Sequence, residues 1–335
     1  MKKTLATCLF ASFMTTSSFA SINLYDYDNG DSGASLDVFA QIRYLYHNEN
    51  STVKYSNIAR DKLIFQSNFL RTRVGVQGKI FDQNLLTYGF YTRFDHYYLN
   101  YKQKYSYNNF YENTGSIKYR EGFTLNRAYV YLSQPEVGTL LYGKYITVAD
   151  DRFQNNLQYD FFDNNLKFTA FSVSAGDYDS TITYYLPSIN NLNGGVSFAQ
   201  TKNSQNNTTS QIAFNSNYTY LGHYFSVTYA NTQNKINSRV NNIFNSYDLA
   251  YYNSSLINNL TLGFDLAYQK SQQNIIENNF ANYYFKEKSW SLAFKGEYYF
   301  SQYFSPYFAL SFVHNKQQGD IYSGSKIKQF NYILG

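Results

Sequence analysis

Apolar and polar residues alternate one for one along much of the chain. Within 260–269, Leu260, Leu262, Phe264, Leu266 and Tyr268 are apolar, while Thr261, Gly263, Asp265, Ala267 and Gln269 are small or polar. A period of two defines a β-strand with two unlike faces. Trp290, Leu292, Phe294, Gly296, Tyr298 and Phe300 alternate in the same way with Ser291, Ala293, Lys295 and Glu297, and Leu70, Thr72, Val74 and Val76 alternate with Arg71, Arg73, Gly75 and Gln77. These segments run to about ten residues, longer than the usual mode of about 5–6 for soluble strands. Aromatic pairs such as Tyr298 and Tyr299 stand at their ends, where girdle residues of a membrane barrel meet the headgroups. Fourteen alternating segments are countable directly.

The connections alternate too. Residues 82–84, 133–138, 188–193, 221–223, 254–259 and 301–305 read as tight turns. Residues 48–61, 101–122, 202–208, 235–242, 271–288 and 315–326 read as long loops rich in Asn, Tyr and Ser. Short turns at one rim and long loops at the other are the pattern of an outer-membrane barrel. Pro135, Pro187 and Pro306, the only prolines, all fall at strand ends or turns, where no ladder donor is lost. The expected fold is therefore all-β, a transmembrane antiparallel barrel.

Composition sharpens this picture. Tyr and Phe number 38 and 29 in 335 residues, more than a soluble core built on Leu, Ile and Val requires. No apolar run reaches the roughly 18 residues of a spanning helix, so a helical membrane bundle is excluded. The first twenty residues form a separate object: Lys2 and Lys3, a mostly apolar stretch over 5–14, and the small-x-small exit Ser18, Phe19, Ala20 read as a signal peptide cut after Ala20. The barrel then occupies 21–335. The chain has 28 basic and 23 acidic residues. Losing the two leader lysines lowers the surplus from five to three, too small for a nucleic-acid footprint. Cys8, the one cysteine, leaves with the leader, so neither a disulfide nor a thiolate metal site is expected in the mature chain.

Four stretches carry a family resemblance. Residues 36–41 (LDVFAQ) look like the first strand of the general, trimeric outer-membrane porins of Gram-negative bacteria, and 70–78 (LRTRVGVQG) look like their arginine-bearing second strand. Residues 126–132 (NRAYVYL) with 137–144 (VGTLLYGK) are similar to the strands leading into the third loop, and 181–187 (TITYYLP) resemble the strand after it. The resemblance implies about sixteen strands, a third loop folded into the lumen from Ile146 to about Asn165, a homotrimer, and residence in the outer-membrane lipid. The chain departs from the family at its end. It stops at 330–335 (FNYILG) instead of on a terminal Phe, so the last strand looks incomplete.

About eight strands close on their own side chains, whereas about 16 leave an aqueous channel. The expected function is diffusion of ions and small hydrophilic solutes. Alternation places Arg43 on the lumen face with Gln41, because Val38, Ala40, Ile42 and Tyr44 take the lipid face. Arg71 and Arg73 face inward by the same rule, as do Arg93 and Asp95 if Tyr88, Phe90, Thr92 and Phe94 face lipid. An arginine aimed at mid-bilayer lipid would cost about 2–4 kcal/mol. Arg127 shares its face with Tyr129 and Tyr131. In the porin reading, Asp150, Asp151, Asp160 and Asp163 of the third loop oppose these arginines across a constriction, and the resulting transverse field orients polar solutes.

Catalysis is not expected. His96 cannot share a strand face with Asp95, His223 lies in a turn, and His47 and His314 have no legible partner. No metal-ligand spacing and no phosphate loop is present, so no metal and no cofactor is expected. The alternative function is a barrel whose long loops bind host molecules as an adhesin or receptor surface.

Overall fold

The computed structural model describes residues 15–55, 59–82, 86–107, 111–149, 178–202, 207–236, 239–277, 281–300, 307–319 and 326–334. The described chain holds fifteen strands and no helix. The first five are β1 (Thr15–Asp28), β2 (Ser32–Tyr55), β3 (Ala59–Asp82), β4 (Thr87–Tyr107) and β5 (Tyr111–Gln134). Two short strands follow, β6 (Gly138–Tyr145) and β7 (Tyr178–Tyr185), and then β8 (Leu192–Lys202), β9 (Thr208–Tyr220) and β10 (His223–Ile236). The last five are β11 (Arg239–Ile257), β12 (Leu260–Glu277), β13 (Ala281–Tyr298), β14 (Tyr307–Gly319) and β15 (Lys326–Leu334). All lie in one sheet in sequence order, each antiparallel to the next. The fourteen segments countable from alternation match β2–β15; β1 is additional and begins within the expected leader. Sixteen strands are not found among the described residues.

The burial pattern is inverted relative to a soluble protein. In β12 the apolar Phe264 is 40% exposed and Leu266 42%, whereas Asp265 and Ala267 between them are fully buried. Strand after strand repeats this. Ile42, Val74, Tyr88, Phe90, Val130, Leu140, Phe198, Ile212, Val227 and Leu249 stand exposed on the outer face, and Thr181, Ser197, Gln211, Thr228, Asp248 and Ser291 are buried inside. Such a wall suits an apolar surrounding and a polar interior.

Among the described residues the tight turns at 133–138, 188–193, 221–223 and 254–259 fall where alternation puts them, while those at 82–84 and 301–305 lie largely outside the described residues. Between β9 and β10, Leu221 and Gly222 both have positive φ, 46° and 80°, the twist that a two-residue hairpin needs. The long polar loops come out differently. Most of 48–61 and 101–122 is strand, because β2–β5 run on for 21–24 residues, about twice the roughly 9–11 that cross a bilayer. A ladder is held by its backbone bonds and needs no apolar face beyond the bilayer, so it can continue where the alternation that marks it fades.

At the far end, β15 pairs antiparallel with β14, with Phe330 opposite Phe312 and Leu334 opposite Phe308. It also comes within 8 Å of β2, Cα to Cα, so the sheet curls back toward its start. No ladder joins the two among the described residues, and the reason lies on β2: its free edge is taken by β1, from Thr15 opposite Leu45 to Asp28 opposite Gly33.

Candidate functional site

The tight turn between β3 and β4 sets a register in which Arg73 lies opposite Asp95 and Arg71 opposite Tyr97. On the other side of β3, Arg73 is opposite Gln41 and Arg71 opposite Arg43; on the far side of β4, Arg93 is opposite Arg127. Arg71, Arg73, Arg93 and Arg127, on three neighbouring strands, thus occupy one band of the inner wall, with the backbone of Arg43 paired beside them on β2. Alternation alone brings them to that face, and pairing brings them to that height.

Asp95 is the centre of the band. Its side chain is fully buried, and Arg71 Nε donates to Oδ2 at 2.9 Å while Arg93 Nε donates to Oδ1 at 2.7 Å. Arg71 Nη2 makes a second bond to Oδ2, completing a fork, and Arg73 Nε stands 3.5 Å from the same oxygen. Tyr97 donates its hydroxyl to Oδ2 at 2.9 Å, and the Arg71 guanidinium lies 4.8 Å from the Tyr97 ring centroid. Arg73 Nη1 donates to Gln41 Oε1 at 2.9 Å, and Arg93 Nη2 donates to Asn126 Oδ1. Asn126 reaches that position because the register shifts between Arg93 and Phe94. Three guanidiniums on one carboxylate leave the cluster with two net positive charges, held by forked and charge-assisted bonds.

Beside the cluster the inner wall is aromatic. Phe39 stacks on Tyr91 at 5.3 Å, Tyr91 on Tyr129 at 5.2 Å, and Tyr129 meets Tyr145 edge-on at 4.7 Å. Phe39 and Tyr91 belong to strands with β3 between them and meet because Gly75 on β3 has no side chain; a Cβ there would sit 2.3 Å from the Phe39 ring. Arg127 caps the row, its guanidinium 5.0 Å from the Tyr145 ring centroid. Tyr129 and Tyr131 on the face of Arg127 are therefore part of the inner wall.

After β6 the chain turns inward. Ile146, Thr147, Val148 and Ala149 are all buried, and Val148 and Ala149 pack on Ala213, Ala230 and Ala267 of β9, β10 and β12. The Val148 N–H donates to Ser197 Oγ at 3.0 Å, and Thr147 donates to Gln211, which donates on to Thr232 at 2.8 Å. Small residues on the receiving strands leave room for this segment, as the inward third loop requires. Asp150, Asp151, Asp160 and Asp163 lie outside the described residues, as does the side chain of Arg43. Among the described residues no group of three or more His, Cys, Asp or Glu side chains could hold a metal ion.

No protein-family model matches the sequence, and no curated protein matches it. Solved structures do match. A Salmonella typhi OmpF structure, the complex with daunomycin, aligns over 93% of this chain and 100% of its own, with 13% identity and a TM-score of 0.52. This is a porin fold. The anion-selective porin from Comamonas acidovorans aligns over 97% of this chain and 100% of its own at 12% identity, with a TM-score of 0.44. Within the porin fold, sequence reasoning found the arginine-bearing face but missed the partners that fix it, namely Tyr97, Asn126 and above all Asp95 as the shared anchor. The signal for Asp95 was present: it and Arg73 sit at equal distances from the β3–β4 turn.

Proposed function

We propose that the chain is a water-filled outer-membrane diffusion channel of a Gram-negative bacterium, passing ions and small hydrophilic solutes, with no catalytic step. The observation that carries this reading is the inverted wall: apolar side chains outward, and a polar interior bearing a guanidinium band that no apolar core could accommodate. The constriction is formed by Arg43, Arg71, Arg73, Arg93 and Arg127 on the wall, opposed by Asp150, Asp151, Asp160 and Asp163 on the inward segment. The test is conductance and reversal potential of the purified protein in planar bilayers under a salt gradient. Replacing Arg71 and Arg73 together by alanine removes two lumen charges and is expected to raise the cation-to-anion permeability ratio roughly threefold, more at low salt than at high. An unchanged reversal potential in the folded variant would remove these arginines from the permeation path.

Homotrimer formation belongs to the same reading. A heat-sensitive oligomer three times the monomer mass is expected in mild detergent; a monomer at every temperature contradicts it. The extended arms of β2–β5 favour a second reading, in which they present a surface to host molecules, and a chain that binds such molecules without conducting would support it.

A further inference from the structure

At the rim of the tight turns, the inner faces of β8–β11 end around a cavity of ≈ 330 Å³. Asn193 lies opposite Asn217, and Tyr224 lies opposite both Thr219 and Tyr252, so these side chains form two adjoining rows across four strands. Ser254 and the Gly222 turn complete the lining. The Tyr252 ring packs on Gly263 of β12, and its hydroxyl shares a hydrogen bond with Tyr299, which donates to Glu297. That ring is consequently fixed against the wall while it lines the cavity. Asn217 Nδ2 donates to Asn215 Oδ1 at 2.5 Å, and Asn217 Oδ1 is buried without a hydrogen-bond partner among the described residues.

The chemistry of this lining is selective. Every lining side chain is neutral, so an ion would exchange its hydration for no counter-charge. A purely apolar solute would cover Asn193, Thr219, Ser254 and the free Oδ1 of Asn217 without pairing them, at about 1–3 kcal/mol for each group so buried. A ring with hydroxyls around its edge and a C–H face satisfies both, the hydroxyls meeting Asn193, Asn217, Thr219 and Ser254 and the face meeting tyrosine. We propose that this cavity binds a neutral saccharide ring at the tight-turn mouth, about one sugar unit deep, separately from the guanidinium band. The proposal rests on the lumen being a solute pathway, which supplies access to the mouth.

The experiment uses the full chain in detergent micelles, maltose as the probe, and saturation-transfer NMR as the readout, alongside bilayer recording. Saturable maltose binding is expected, with gluconate, of similar polarity but charged, at least fivefold weaker. Tyr252→Ala should weaken maltose about tenfold and Tyr252→Phe much less, because the ring carries the contact. Thr219→Trp, which fills the cavity from an exposed position, should abolish binding, while the double alanine variant at Arg71 and Arg73 should bind as wild type. Non-saturable binding by wild type, or gluconate binding as tightly as maltose, overturns the site with no variant needed. Maltose binding by a chain that conducts nothing upholds the site and removes the channel; a conducting chain without maltose binding does the reverse.

Discussion

Replacing Asp95 by alanine is expected to lower the stability of the folded barrel by about 3 kcal/mol, the low end of what breaking a buried ion pair costs. The side chain is fully buried and the Arg93 side chain is 5% exposed, so removing the carboxylate leaves that guanidinium desolvated and without its counter-charge. Arg71 and Arg73, 15% and 17% exposed, regain some water and contribute less. Tyr97 also loses the acceptor of its hydroxyl. Asp95→Asn, which keeps an acceptor of the same shape but no charge, should lose less. Urea unfolding followed by heat-modifiable migration measures both, and a loss under about 0.5 kcal/mol for alanine would mean that the arginines are solvated independently of Asp95. The same substitution raises the local charge from two to three positive, so the surviving folded fraction should prefer anions more strongly than wild type.

That role for Asp95 shows where sequence reading reaches its limit. Which face a residue takes is a local property, settled by its neighbours two positions away, so Arg71, Arg73 and Arg93 were legible as inward and Phe90, Phe94 and Ile42 as outward. Which residue faces which across a hairpin depends on turn length, and a shift of one residue changes every partner. The bulge that delivers Asn126 to Arg93 is a break in the ladder that alternation does not mark. The Phe39–Tyr91 contact requires knowing that Gly75 lies between them in space. In the arms of β2–β5 the legible signal vanished for a different reason: backbone pairing longer than a bilayer crossing needs no apolar alternation, and Asn- and Ser-rich strand then reads as loop.

Val148→Asp is the second substitution expected to act strongly. Val148 is nearly fully buried against three alanines of the opposite wall, and its own N–H is tied to Ser197. Among the described residues a carboxylate there has no cation in the cluster it packs on, and leaving it ionised in that contact costs several kcal/mol, far more than undocking a few residues. The expected outcome is local: the inward segment detaches from β9, β10 and β12, single-channel conductance rises, and the segment becomes open to protease while the β-sheet remains folded. Conductance equal to wild type in a folded variant would show that the segment does not narrow the path. Val148→Ala, which only trims the contact, should conduct nearly as wild type.

The pairing of β1 with β2 has a consequence for closure. Six of its pairs, from Thr15 opposite Leu45 to Ala20 opposite Ala40, use residues on the leader side of the expected cut after Ala20. β15 runs in the same direction as β1, so both offer β2 the same antiparallel partnership, and one edge of a strand holds one partner at a time. With residues 15–20 in place, β2 is paired along 40–45 by β1. With the leader removed, that stretch of edge is bare, and an unpaired edge in lipid costs several kcal/mol per group. Residues 21–28 keep the edge of β2 over 33–39, so a cut after Ala20 would leave only the stretch over 40–45 open to β15.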